Sequence, residues 1–134
     1  MSVPIVVDAS VAAKWLLPEP GSDAAARLLD GRAAFHVPEL FDAELGNLLW
    51  KRVRRSKLDA ATVAGLASLV RRMPAIRHRH DRLLEGALSL ALDLSITVYD
   101  ALYVALAVAL NARLVTFDRG LIDRASAVIE VGTP

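Results

Sequence analysis

Four acidic residues occupy positions from which a chain of this kind can do chemistry. Asp8 ends the apolar run Ile5, Val6, Val7, and Asp118 ends "RLVTF", so an acid follows an apolar, strand-like segment twice. Asp100 opens "YDALYVALAVAL", a segment apolar nearly all round and so expected to be a buried helix. Glu44 lies in "PELFDAELGNLLWK". With Leu45 at the centre of the apolar stripe, Glu44 is one residue, about 100°, to the side, at the boundary of the buried face. Each acid also has a local explanation. Asp8 and Asp118 suit the cap of a following helix, "TVYD" fits a capping box with Thr97 as the cap, and Glu44 could pair with a basic neighbour. No cap, however, requires two acids to follow two parallel strands.

Clustered carboxylates raise one another's pKa unless a cation neutralises them. Three or four such oxygens without His or Cys suit hard Mg²⁺ or Mn²⁺. The chain has no cysteine, which excludes a disulfide framework and cysteine-ligated zinc. Of its three histidines, His78 and His80 fall in "RHRHDR", which reads as a solvated basic face. Mg²⁺ keeps waters and is typically completed by phosphate oxygens. The chemistry expected is therefore metal-assisted phosphodiester hydrolysis. One metal lowers the pKa of an attacking water, and a second, if present, stabilises the leaving oxygen.

An acidic pocket repels a polyanion, so a basic rim must hold the substrate backbone. The formal net charge of +1 hides such material: of 16 basic residues only Lys14, Lys51 and Lys57 are lysines. The arginines cluster in "KRVRRSK" (51–57), "RR" (71–72) and "RHRHDR" (77–82). Arginine matches phosphate geometry better than lysine does.

The elements that must position these residues alternate. Strands are expected at about 4–8, at "FHV", at "PAIRHR" as an edge, at "RLVTF" and at "AVIEV". Helices are expected at about 10–17, 22–31, 38–54, 59–72, 81–94 and 98–111, with a short one in "DRGLIDRA". Nearly continuous apolar strands separated by helices define an α/β chain with a parallel sheet covered on both faces. Ligands in such sheets bind outside the carboxyl ends of the strands, where Asp8 and Asp118 fall. At 134 residues without a linker or repeat, one domain over 1–134 is expected. No apolar run approaches a membrane span, and residues 1–8 lack the basic segment of a signal peptide. The expected location is the cytoplasm.

"IVVDAS", "PELFDAELGNLLWK", "YDALYVALA" and "LVTFD", in this order, resemble the successive motifs of PIN-domain nucleases, and in particular the short bacterial VapC toxins of toxin–antitoxin pairs. The resemblance spans nearly the whole chain. It implies a PIN-like three-layer fold with a central parallel sheet of 4–5 strands, and a Mg²⁺-dependent endoribonuclease. Its acids match Asp8, Glu44, Asp100 and Asp118 as metal ligands and catalytic residues. Thr116 and Ser10 match positions that orient ligands or water, Asn47 would line the cleft, and Asp123 would be at most an outer carboxylate. The resemblance further implies an RNA substrate, a homodimer and a cognate VapB-like antitoxin seated near the helices at 10–31, with Trp15, Leu16, Leu28 and Leu29 as candidate contacts.

Two other readings fit these residues less well. A non-catalytic PIN-like module that binds RNA or protein would show a broken acidic set, and the set is intact. A phospho-receiver domain needs an acidic pair after the first strand and a late lysine; Asp8 stands alone and the last lysine is Lys57.

Overall fold

The computed structural model describes residues 2–55 and 58–134, so Ser56 and Lys57 of the first arginine-rich run lie outside the described residues. Val3–Val7 forms β1, whose last three residues are buried on both faces: Ile5 and Val7 enter one core and Val6 the other. β2 (Ala33–Pro38), β3 (Ala75–His78), β4 (Arg113–Val115) and β5 (Val131–Gly132) complete the sheet. All pairings are parallel, in the order β3-β2-β1-β4-β5. Receiver domains follow the order 2-1-3-4-5 instead.

Helices α1 (Ala9–Leu16), α2 (Ser22–Arg27), α3 (Leu40–Arg54) and α4 (Ala60–Arg71) supply the core on one face of the sheet. Helices α5 (Leu84–Leu94), α6 (Val98–Leu110) and α7 (Arg119–Ala125) supply the other. The expected three-layer α/β organisation is present. In α6 every residue from Ala101 to Ala107 is buried, because the helix is enclosed between the sheet and α5. α3 buries Phe41, Leu45 and Leu49, one residue per turn, which fixes the face that carries Glu44. Leu45→Ala would leave a void under that face and is expected to cost about 2–5 kcal/mol. The check is a lowered urea midpoint at unchanged slope.

Several boundaries differ from expectation, each for a local reason. The helix expected at 22–31 ends at Arg27, and the chain turns through Gly31 at φ +88° before β2. The helix expected from 81 begins at Leu84, after a 3-10 turn at His80–Arg82. The last strand is Val131–Gly132 rather than "AVIEV", because Val128 and Ile129 both donate to the Ala125 carbonyl and prolong the end of α7.

"RHRHDR" is a solvated face only in part: Arg79, Asp81 and Arg82 are exposed, and the other three are engaged by the fold. Arg77 forms a two-pronged ion pair with Asp42 (2.6 and 2.8 Å), His78 meets His36 on β2 at 2.9 Å, and His80 Nε2 accepts the Leu40 amide at the start of α3. Parallel pairing of β2 with β3 brings these residues against α3. Among the described residues no single helix is long and apolar enough to cross a membrane. α5 instead exposes Leu84, Leu88 and Leu92, one residue per turn, Leu92 at 83%.

Candidate active site

After β1 the chain builds outward through β2 and β3, then returns to place β4 on the other side of β1. The strand order reverses between β1 and β4, which opens a crevice at their carboxyl ends. Val7 stands opposite Val115 in the parallel register, so Asp8 and Thr116 leave the sheet side by side. The Asp8 amide donates to the Val115 carbonyl (3.0 Å), and the Thr116 amide donates to the Gly132 carbonyl (3.0 Å). Both residues are thus held by the ladder itself.

Two hydroxyls fix the Asp8 carboxylate. Thr116 Oγ1 (2.8 Å) and Ser10 Oγ (2.9 Å) both donate to Oδ2, so Oδ1 is the oxygen left for a ligand. The same hydroxyls accept in turn: Thr116 Oγ1 from the Asp118 amide (3.0 Å) and Ser10 Oγ from the Phe117 amide (3.3 Å). Thr116 is fully buried, so its geometry is set by the fold rather than by solvent. Asp118 caps α7 by accepting the Leu121 amide through Oδ1 (3.1 Å). A cap of this kind engages one oxygen of the carboxylate, so the capping role leaves Oδ2 for another. Thr97 likewise caps α6, accepting the Asp100 amide at 3.1 Å.

Glu44 is half-buried at the edge of α3, as its offset from Leu45 predicts. Its Oε1 accepts a 2.7 Å hydrogen bond from Tyr103 Oη. Tyr103 is the residue the sequence reading missed. The available signal was its position three residues after Asp100, hence on the same face of α6, and its hydroxyl in a helix that is aliphatic apart from Tyr99 and Asp100.

The electrostatics bind the acids together. Burial raises Asp8, the Thr116 and Ser10 hydroxyls oppose it, and Asp118 adds to the rise. Burial pushes Glu44 up to about 7 against the Tyr103 hydrogen bond, with Asp8 and Asp100 adding. Asp100 is raised by burial, then by Asp8 and Asp118. Asp8, Glu44 and Asp100 are thus each raised in part by neighbouring carboxylates at one edge of the sheet. Among the described residues none of them has an ion-pair partner.

The four do not form a closed cage: among the described residues no three His, Cys, Asp or Glu side chains stand in ligating geometry. That arrangement suits Mg²⁺, which dehydrates reluctantly and takes only one or two carboxylates directly. A carboxylate-only donor set, with Asp8, Glu44 and Asp100 raised and no ion-pair partner among the described residues, fits a hard divalent ion.

Asn47 on α3 and Asp123 on α7 are exposed, and no side-chain hydrogen bond ties either to the four acids. Three of the candidate contacts over 10–31 are partly buried against the core. Trp15 donates its indole N–H to the Ala25 carbonyl (2.7 Å) and packs on Phe35, while Leu16 and Leu28 lie against the same core. Of the four, Leu29 is the exposed one. A concavity of about 400 Å³ lined by Asn111, Arg113 and Glu130 lies at the opposite end of β4 and holds none of the four acids.

This edge and its acids define a nuclease-type α/β domain. A PIN domain family model matches residues 5–127. Ribonuclease VapC3 of Pyrobaculum aerophilum is 36% identical over 127 residues, covering 93% of this chain and 97% of that protein. Ribonuclease VapC9 of Mycobacterium tuberculosis is 40% identical over 123 residues, covering 92% of each. The solved VapBC2 of Rickettsia felis, bound to a DNA fragment from its promoter, shares the fold at TM-score 0.69 and 14% identity, over 98% of each chain. The chain belongs to the PIN-domain family, among the VapC ribonucleases.

Proposed function

We propose that this chain, as one nuclease domain over 1–134, is a divalent-metal-dependent endoribonuclease toxin in which Asp8, Glu44, Asp100 and Asp118 hold the cation. The observation that carries the reading is a group of carboxylates at one strand edge, three of them raised by burial and by their acidic neighbours, with no cationic side chain paired to them among the described residues. A bound Mg²⁺ or Mn²⁺ would supply activation of water and neutralisation of the phosphodiester. The chain's own part is positional. Thr116 and Ser10 hold one oxygen of Asp8 and turn the other toward the crevice, and Asp118 is fixed by its cap on α7. Lys14, held over the Phe117 ring, and Arg119, next to Asp118, flank the acids in the chain and supply phosphate contacts.

Much of the expected basic rim is committed elsewhere. Arg52 pairs with Glu19, Arg77 with Asp42, and Arg54 lies over the Trp50 ring. A cognate VapB-like antitoxin neutralises the activity, a reading supported by the VapBC pair whose fold this chain shares. A second copy covering the α5 stripe gives a homodimer, which light scattering at twice the 14.4 kDa chain mass would register.

The test is cleavage of total RNA by the purified, partner-free chain with Mg²⁺, with Mn²⁺ and with EDTA. Discrete fragments that need metal and vanish in Asp100→Asn are expected. Fragments that persist in EDTA or in Asp100→Asn would overturn the assignment.

A further inference from the structure

Tyr103 presents an unusual combination of burial and polarity. It is 1% exposed and lies within the run of α6 that is buried from Ala101 to Ala107. A phenylalanine would fill the same space without bringing a hydroxyl that must find a partner. The partner it finds is Glu44 Oε1 at 2.7 Å, 59 positions away in the chain. α6 belongs to the core on one face of the sheet and α3 chiefly to the other, so this bond ties the two helical layers at the strand edge that carries the acids. Asp100 lies one turn before Tyr103 on α6.

The hydrogen bond also selects an oxygen. With Oε1 engaged by Tyr103, Oε2 is the one free to turn toward the crevice. Asp8 and Asp118 show the same division, Asp8 Oδ2 being held by two hydroxyls and Asp118 Oδ1 by the Leu121 amide. Resting on the reading of these acids as cation ligands, we propose that Tyr103 is a positioning residue, whose hydroxyl holds Glu44 so that a single oxygen faces the bound divalent cation. A carboxylate on a half-exposed helix edge otherwise samples several rotamers, and ordering it on binding costs affinity.

The experiment is Mn²⁺ binding followed by calorimetry and by the metal-induced rise in melting temperature. It compares the natural chain, Tyr103→Phe, Glu44→Gln and the double variant, all without RNA. Partners that orient a ligand typically contribute 10–100-fold to metal affinity, so Tyr103→Phe is expected to bind Mn²⁺ about tenfold more weakly. In the Glu44→Gln background the same change is expected to alter affinity less than about twofold, because the group it positions is gone. Equal losses in both backgrounds would assign the effect to packing and overturn the proposal. Unchanged binding by Tyr103→Phe, with the natural chain binding normally, would overturn it while leaving the metal site standing. No binding by the natural chain would overturn the metal site and the role of Tyr103 with it.

Discussion

Asp8→Asn is expected to abolish RNA cleavage while leaving the fold intact and the metal-free chain more stable. The reason lies in how Asp8 is held. Both side-chain donors, Ser10 Oγ and Thr116 Oγ1, converge on the single oxygen Oδ2, and the Ala9 backbone amide adds a further hydrogen bond to the carboxylate. An asparagine can place its carbonyl oxygen there, keep both bonds, and turn its NH₂ group to where Oδ1 was. A donor then faces the crevice where a cation requires an acceptor. Losing that charge removes several kcal/mol of transition-state stabilisation, about a thousandfold in rate at about 1.4 kcal/mol per factor of ten. The burial that raises Asp8 no longer penalises a charged group, so melting in EDTA should move upward. Metal should no longer raise it further. Full activity of Asp8→Asn, or a metal-induced stabilisation equal to that of the natural chain, would refute this role. Asp8→Ala is a poorer test, because it strands two hydroxyls at the base of the site.

The second large effect concerns pH. Glu44 has its pKa raised from 4.5 to about 7, chiefly by burial, and Asp8 and Asp100 are raised as well. For an acid raised on folding, the native state binds more protons than the unfolded chain between the two pKa values. Stability is therefore greatest below the unfolded value and is lost as pH rises through the folded one. Metal-free protein is expected to melt at progressively lower temperature from about pH 5 to pH 8. Glu44 is partly open to solvent, and after discounting for screening its share is about 1–2 kcal/mol, or about 3–8 °C. Glu44→Gln should flatten the slope, and saturating Mg²⁺ should reverse it, because the cation binds the deprotonated acids. Melting curves in EDTA that are flat from pH 5 to 8 would contradict the coupling among these acids.

How much of this was legible before any fold was known differs from residue to residue. Asp8 and Asp118 could be found because each ends an apolar strand, and a parallel sheet sends both to one edge. Glu44 could be placed at the margin of its helix because Phe41, Leu45 and Leu49 mark the buried face by period alone. The capping roles of Thr97 and Asp118 were legible for the same local reason, and in the structure they coexist with the site. The basic residues were read less well. Arg52 and Arg77 look like part of a rim in sequence, yet Glu19 and Asp42, 33 and 35 positions away, neutralise them.

The sequence by itself thus determined the α/β class and singled out the four acids, because strand burial, helix period and caps are local properties of a few consecutive residues; Ser10 and Thr116 were singled out only by the family resemblance. The tertiary structure alone decided that β1 and β4 are neighbours, that Trp15 and Leu28 pack partly buried against the core, and that Tyr103 donates to Glu44. These are pairings between distant segments, and a residue's local period records which face is buried but not which partner covers it.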